Sequence, residues 1–471
     1  MSVDNKPFVD AGSFRDPAGQ VLHHNNRMFR TVSKSGWTDF SKVVDSGLID
    51  DLATAGMLLP LWPVDAGQAG NPEGAERIFG TEKLAMISWP YEWSFSALKT
   101  AALLHLDVHL AALEKKFTLA DASAYNVQFR GAEPVFIDHL SLRPYVDGEI
   151  WAGHRQFCEQ FINPLVLASK VGVMPNAWYR GTQEGLPTAD VARLIPLRHK
   201  FSWSVFMHVI MQARLDRAAV SGSGDIDTKA MSSAQLPKSS LVNMLKGLRS
   251  WLDGLQPPGG ATVWQGYATD NSYARSEADH KKQLVAEMIA DIKPDLVLDL
   301  GCNSGDYSIA ALEAGAGQVI GFDVDFGALE AAFARSRAQK LNFLPLHFDA
   351  SNPSPDQGWA QGERAGFAAR AKGDALLALA FVHHLAIARN IPLPRLLNWL
   401  MDRAPEGIIE FVPKEDAMVQ RLLALREDIF ADYSIETFLT TIQGRADIVS
   451  NVEVSESGRR LVRYSRRPEP R

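Results

Sequence analysis

The chain has 471 residues, 46% of them hydrophobic and 22% charged, and a net charge of −7. That length exceeds one comfortable core and predicts at least two domains, while the acidic balance disfavours a nucleic-acid partner, whose proteins are more often basic. Two cysteines far apart, Cys158 and Cys302, give no disulfide framework and no cysteine-based metal spacing.

The first ten residues carry acidic side chains and no apolar core of signal-peptide length. No apolar run reaches the ~20 residues that span a bilayer. The expectation is therefore a cytoplasmic protein without a membrane span.

Asp16-Pro17-Ala18-Gly19 is a turn signal, and 20–22 and 28–32 read as the strands of a hairpin. A helix is predicted over 38–56 from the apolar face of Phe40, Val43, Val44, Leu48, Leu52 and Ala55. A Gly-rich loop (65–76) and a strand (83–89) follow. Pro90-Tyr91-Glu92-Trp93 breaks that strand, and a long helix runs from Ser94 to about Lys116.

Next, Asp121 is followed by Asn126, a strand, a turn, a second strand and Asp138. This order resembles the catalytic and metal loops of protein-kinase-like phosphotransferases. In that family the first aspartate orients the acceptor hydroxyl, and the asparagine and second aspartate hold magnesium. The resemblance implies those roles for Asp121, Asn126 and Asp138, with Asn126 and Asp138 as metal ligands only if this half is active. It departs from the family in three places. Leu119 stands where a histidine is usual, no Gly-x-Gly-x-x-Gly loop is present, and Arg30 is the nearest cation in the hairpin. On the residues alone, Asp121 caps a turn and the other two tie a hairpin together.

Residues 150–250 read as mostly helical, with 221–240 as a Ser/Gly-rich loop and a helix from 240 to 252. Gln256-Pro257-Pro258-Gly259-Gly260 is the clearest linker signal, giving an N-terminal α+β domain over 1–255 and a second domain over 256–471. An aromatic lead-in (264–273) opens the second domain. Helices at 277–292, 307–315, 326–339 and 416–425 then alternate with strands at 296–300, 318–323, 342–348, 375–381 and 407–412. The chain closes on a hairpin, 447–454 with 459–464. Such alternation predicts a doubly wound, Rossmann-like α/β sheet.

Leu296 to Leu300 is an apolar strand that runs into Gly301-Cys302-Asn303-Ser304-Gly305, and a second strand ends on Asp323. Strand, tight glycine turn, helix and a second strand tipped with a carboxylate form a nucleoside-binding unit. A dinucleotide-binding loop would want a third glycine, but Ile309 and Ala310 occupy that part of the helix. A glycine turn that serves packing alone does not explain carboxylates at successive strand ends.

On these residues, 262–471 resembles a class I S-adenosylmethionine-dependent methyltransferase with a seven-stranded sheet. Asn303 stands where that family often has glycine, a departure that asparagine's tolerance of left-handed backbone angles permits. The resemblance implies S-adenosylmethionine as cofactor. Asp299, Gly301, Cys302, Asn303 and Gly305 would lie around its methionine part, Asp323 (with Asp325 as rival) would bind the ribose, and Asp349 and Ala350 the adenine. Through Pro-Tyr-Glu-Trp and Val-Phe-Ile-Asp the whole chain also resembles bacterial nodulation-type methyltransferases.

The acceptor is expected near the end of the fourth strand, at His383 and His384. Either is a candidate general base, because histidine titrates near neutrality, and either is equally a packing residue. The 359–364 segment is a candidate lid. A small molecule or glycan precursor is the expected substrate. The alternatives are a bifunctional kinase-like/methyltransferase enzyme and a non-catalytic S-adenosylmethionine-binding module.

Overall fold

A computed structural model describes residues 6–221, 235–259, 275–424 and 426–468. The lead-in at 264–273 and most of the 221–240 loop lie outside the described residues. The chain forms two compact units. One comprises residues 1–129, 133–259 and 356–364, and the other comprises 130–132, 260–355 and 365–471. Among the described residues no helix is long and apolar enough to cross a membrane.

The first unit opens with a five-stranded antiparallel sheet: β1 (Phe8–Val9), β2 (Gly19–His24), β3 (Arg27–Ser33), β4 (Leu61–Pro63) and β5 (Ala75–Thr81), in the order β1-β2-β3-β5-β4. Asn25 and Asn26 join β2 to β3, both at positive φ, as a two-residue primed turn requires. The helix expected over 38–56 is two helices, Lys34–Asp45 and Leu48–Thr54, because Gly47 turns left-handed at φ 71° between them. The strand expected at 83–89 is absent. The sheet takes β5 instead, which begins eight residues before the expected strand, since Ile78 and Phe79 bury there and pair with β3. Ser88 is held differently: the buried Gln128 amide accepts from its N–H at 2.8 Å and donates to its carbonyl at 2.9 Å.

The long helix is Phe95–Glu114, with Ser94 Oγ accepting from the Ala97 N–H at its start. It is buried on nearly every side, through Leu98, Ala101, Ala102, Leu106, Val108 and Leu113, and so forms the axis of this unit. Around it lie the short strands β6 (Phe117–Leu119), β7 (Val127–Arg130), β8 (Glu133–Phe136) and β9 (Leu142–Pro144), paired β6 with β9 and β7 with β8. A helical region follows, interrupted by three π-helical stretches and closed by the helix Lys238–Asp253. The segment expected to be a lid belongs to this unit. Glu363 is buried and accepts Arg15 Nε and Nη2 at 2.8 and 3.0 Å, and the Arg364 guanidinium lies over the Tyr125 ring.

The second unit is a Rossmann-like seven-stranded sheet: β10 (Leu296–Leu300), β11 (Gln318–Asp323), β12 (Phe343–His347), β13 (Ala375–Ala378), β14 (Glu406–Phe411), β15 (Ala446–Glu453) and β16 (Arg460–Arg466). Their order is β12-β11-β10-β13-β14-β16-β15; the first five are parallel, and β16 runs antiparallel to both its neighbours. Strands β10 and β13 are apolar along their whole length because helices cover both faces of the parallel part. The order reverses between β10 and β13, the place where open α/β sheets leave a crevice at their carboxyl ends. Two helices absent from the sequence reading complete the layers, Leu393–Met401 and Ile435–Gln443. The fourth strand stops at Ala378, three residues short of its expected end, and Ala380 beyond it is left-handed at φ 49°.

A buried ionic chain runs from β14 to β16. Lys281 Nζ donates to Glu410 at 2.7 Å, Arg459 reaches the same oxygen at 3.5 Å, and Arg459 grips Asp416 through two bonds of 2.7 and 2.8 Å. All four residues are essentially inaccessible. Removing one partner of such a network strands the opposite charges in the interior. Arg459→Ala is therefore expected to cost about 3–5 kcal/mol. Arg460→Ala, which removes a pair to the largely exposed Glu453, is expected to cost about 0–1 kcal/mol. Urea unfolding of the two variants checks the contrast.

Candidate functional site

The site is built on the loop that leaves β10. Gly301, Asn303 and Gly305 all take positive φ, at 84°, 47° and 88°. The chain therefore coils tightly enough that Gly305 N–H donates to Cys302 O at 2.8 Å. A Cβ on Gly305 would sit 2.5 Å from the Phe343 ring, so that position admits only glycine without repacking. Asn303, where a glycine was the commoner expectation, steadies its own conformation: its Oδ1 accepts from the Ser304 N–H at 2.7 Å.

Strand β11 anchors the loop. The Phe322 carbonyl accepts both the Gly301 and Cys302 N–H groups, at 2.8 and 3.1 Å, and Asp323 Oδ2 accepts the Asn303 N–H at 2.8 Å. The other Asp323 oxygen accepts from the Asp325 N–H at 2.9 Å. Burial raises the Asp323 pKa from its usual value, against the lowering effect of these backbone bonds. Asp325 is engaged elsewhere. It caps the helix Phe326–Gln339, its Oδ1 accepting from the Ala328 N–H at 2.9 Å, and it is buried. That leaves Asp323 as the carboxylate at the tip of β11.

Asp299 lies within β10, beside Gly321 of β11, and is only 2% exposed. Ser308, in the helix Asp306–Glu313, donates to it at 2.6 Å. Burial pushes its pKa up to about 7, with the nearby Asp323 charge adding to the shift and the Ser308 bond opposing it. Beyond β12, Asp349 is partly exposed and accepts from the Ser351 N–H and hydroxyl at 2.9 and 2.6 Å; Ala350 beside it is likewise partly exposed. Three carboxylates thus stand on three adjacent strands, whose neighbours are about 4.8 Å apart, at the carboxyl end of the sheet.

At the tip of β13, His383 is fully buried and neither ring nitrogen has a hydrogen-bond partner. Burial, His384 and Lys281 hold its pKa well below the usual value, and burial takes His384 down to about 4. Both rings are therefore neutral. Burial penalises the imidazolium of each ring.

In the first unit the structure brings Asp121, Asn126 and Asp138 together. The Asn126 amide donates to both oxygens of Asp121 at 3.0 and 3.2 Å and to Asp138 at 3.4 Å; Ser141 donates to Asp121 at 2.7 Å. Arg30 lies 3.3 Å from Asp138, whose pKa burial nevertheless raises to about 6.

Several contributors escaped the sequence reading. Arg335 donates to Ser304 O at 2.9 Å and to Asp306 at 2.8 Å, clamping the glycine loop from the next helix. Phe381, which belongs to the stretch expected at the acceptor end and is not one of these, packs against Gly301, 3.1 Å from where its Cβ would be. Ala380 is held left-handed while its N–H donates to the buried Glu410 at 2.8 Å, and a strained non-glycine residue at a strand tip is a frequent mark of function. None carries a local sequence signal, since each acts through a partner distant in the chain.

Residues 284–353 match the family model described as ribosomal protein L11 methyltransferase (PrmA). The nodulation protein NoeA of Rhizobium meliloti (strain 1021) is 46% identical over 463 residues, covering 98% of this chain and 97% of the relative. The ribosomal protein L11 methyltransferase of Pseudomonas fluorescens (strain Pf0-1) is 35% identical over 129 residues, 22% of this chain and 42% of that protein. Among solved structures, the N-methyltransferase NodS of Bradyrhizobium japonicum WM9 in complex with S-adenosyl-L-homocysteine aligns with 44% of this chain and 94% of its own, at 13% identity and a TM-score of 0.33.

The raised pKa of Asp299 fixes a pH dependence. A carboxyl whose folded value lies above its ordinary 3.8 favours the folded state fully below 3.8 and loses that advantage as pH rises to about 7. Asp299→Asn removes the titration. Relative to wild type, the variant is expected to gain stability steadily between those two pH values and to hold a constant advantage above them, as thermal unfolding across pH will show.

Proposed function

We propose that this chain, which belongs to the family of the nodulation protein NoeA, transfers the methyl group of S-adenosylmethionine to a small-molecule or glycan-precursor acceptor. Its C-terminal unit is a class I S-adenosylmethionine-dependent methyltransferase. The observation that carries the site assignment is the glycine loop set against the carboxylates of β10, β11 and β12.

The residues present fit the cofactor. Gly301 and Gly305 take the positive φ that coils the loop, with the Phe381 and Phe343 rings packed where their side chains would stand, and Asp323, which accepts backbone N–H groups through both oxygens, retains acceptor capacity for a ribose hydroxyl. Asp349 and Ala350 are assigned to the adenine side, and Cys302 and Asn303 to the loop that supports the amino-acid part. Asp299, too buried to reach outward, holds the loop to the helix behind it through Ser308. When bound, S-adenosylmethionine supplies an electrophilic methyl on a sulfonium, so that one carbon–heteroatom bond forms as the carbon–sulfur bond breaks. The protein's part is alignment and exclusion of water. His383 and His384, neutral at neutral pH, are suited to accept a hydrogen bond from the attacking group or to shape the apolar wall.

The L11-methyltransferase match ends at residue 353, before β13 and the two histidines. It includes the glycine loop, Asp299, Asp323 and Asp349. Calorimetry should show S-adenosylmethionine and S-adenosylhomocysteine binding that Asp323→Ala weakens by at least roughly tenfold, about 1.4 kcal/mol; unaltered affinity would remove Asp323 from the site. Transfer of labelled methyl into fractionated extract is expected to label a small-molecule or glycan fraction, and label confined to protein or RNA would overturn the acceptor class.

A second reading has one observation in its favour, the convergence of Asp121, Asn126 and Asp138 beside Arg30. Under that reading the first unit is kinase-like and takes a magnesium nucleotide. Mg-ATP binding that disappears in Asp138→Ala is the expected result, and no Mg-ATP binding by the wild type excludes it.

A further inference from the structure

Away from both sites, three ligating side chains meet in the helical region of the first unit. His154 Nε2 lies 3.0 Å from His208 Nδ1, Cys158 Sγ lies 3.7 Å from the same His154 nitrogen, and one ligand atom from each of the three residues falls within 4.8 Å of the other two. A tetrahedral zinc ion, with bonds of about 2.0–2.1 Å to nitrogen and about 2.3 Å to sulfur, holds its ligand atoms roughly 3.3–3.7 Å apart. We propose that His154, Cys158 and His208 bind a zinc ion, with the fourth position left to water or an external ligand.

The local structure accounts for the convergence. His154 and Cys158 are four residues apart on consecutive helical turns, so both project from one face. The helix widens to π geometry at Cys158–Ile162, and His208 sits in a second π-helical stretch, Phe206–Met211. Such bulges are rare and often accompany functional sites. The Trp251 ring stacks on His208 at 6.2 Å and Trp151 meets His154 edge-on at 5.6 Å, which limits the freedom of both imidazoles.

The chemistry of the donors agrees with an ion of intermediate softness. Two imidazoles and one thiolate suit zinc better than magnesium or calcium, which take oxygen. Burial lowers the pKa of His154 and takes that of His208 to about 4, so both rings are neutral, and the single proton in their 3.0 Å contact moves to an outer ring nitrogen when both inner nitrogens ligate. The same burial keeps Cys158 a thiol in the absence of metal. Binding therefore forms a zinc–sulfur bond and releases the thiol proton to solvent. Gln212 hydrogen-bonds His154 and donates to Asp216 at 3.0 Å, the kind of carboxylate-backed support that orients a metal-binding imidazole. Cysteine spacing alone assigned no metal here, because His208 lies 54 positions beyond His154.

Cobalt titration of the full-length, metal-stripped protein tests the site, since a cobalt–thiolate bond has its own charge-transfer absorption. The expected result is a band that saturates at one equivalent and is abolished by added zinc. It should be missing in Cys158→Ser and retained in Cys302→Ser. His208→Ala, at a partly exposed position, should fold with an unchanged circular dichroism spectrum and bind cobalt at least roughly tenfold more weakly. A folded His208→Ala that binds as wild type overturns the proposal, as does a band that survives Cys158→Ser or a wild type without a band at excess cobalt.

Discussion

Three consecutive peptide N–H groups, at Gly301, Cys302 and Asn303, are accepted by two consecutive residues at the end of β11, through the Phe322 carbonyl and the Asp323 carboxylate. Much of the methyltransferase site depends on that arrangement. A loop with left-handed residues at alternate positions has no ladder to join, and its N–H groups would be costly to bury unpaired. The parallel register of β10 with β11 places acceptors beneath them. The residue that fixes the loop is thereby also the one assigned to the ribose, so the cofactor's own contacts would tighten the structure that receives it.

The opposite side of the sheet is organised by charge rather than by backbone. Lys281, Glu410, Arg459 and Asp416 come from a helix, a parallel strand, the closing hairpin and a helix cap, and they meet in the interior. Buried ion pairs rarely add stability over apolar packing of the same volume, but they tolerate few alternative arrangements. Here the second Glu410 oxygen accepts the Ala380 N–H, so the network extends to the strained bend beside His383. The closing hairpin is thus tied electrostatically to the carboxyl end of β13.

Much of the second unit was legible in the sequence. Leu296–Leu300, Gln318–Asp323 and the helix Phe326–Gln339 have the bounds their apolar patterns predicted, since parallel strands flanked by helices read as short apolar runs. The glycine loop was legible because its backbone angles restrict residue type. Partnerships across the chain were not. Lys281 and Glu410 are 129 positions apart, and Arg335 reaches Ser304 from 31 positions away, with nothing in either neighbourhood to announce the pair. In the first unit the misplacement of β5 has a similar cause. Its strand character comes from pairing with β3, whereas Ser88 satisfies its backbone through the Gln128 side chain.

The 356–364 segment has a consequence for how the gene can be divided. Its coding sequence lies between β12 and β13, yet its residues are counted in the first unit, with Glu363 buried against Arg15 and Arg364 laid over Tyr125. A cut at the Pro-Pro-Gly linker would therefore yield an N-terminal fragment missing part of its own fold, with Arg15 deprived of its carboxylate and the Tyr125 ring uncovered. The two units are interleaved in sequence. Recombination or fission that respects the linker alone cannot pass the first unit on intact.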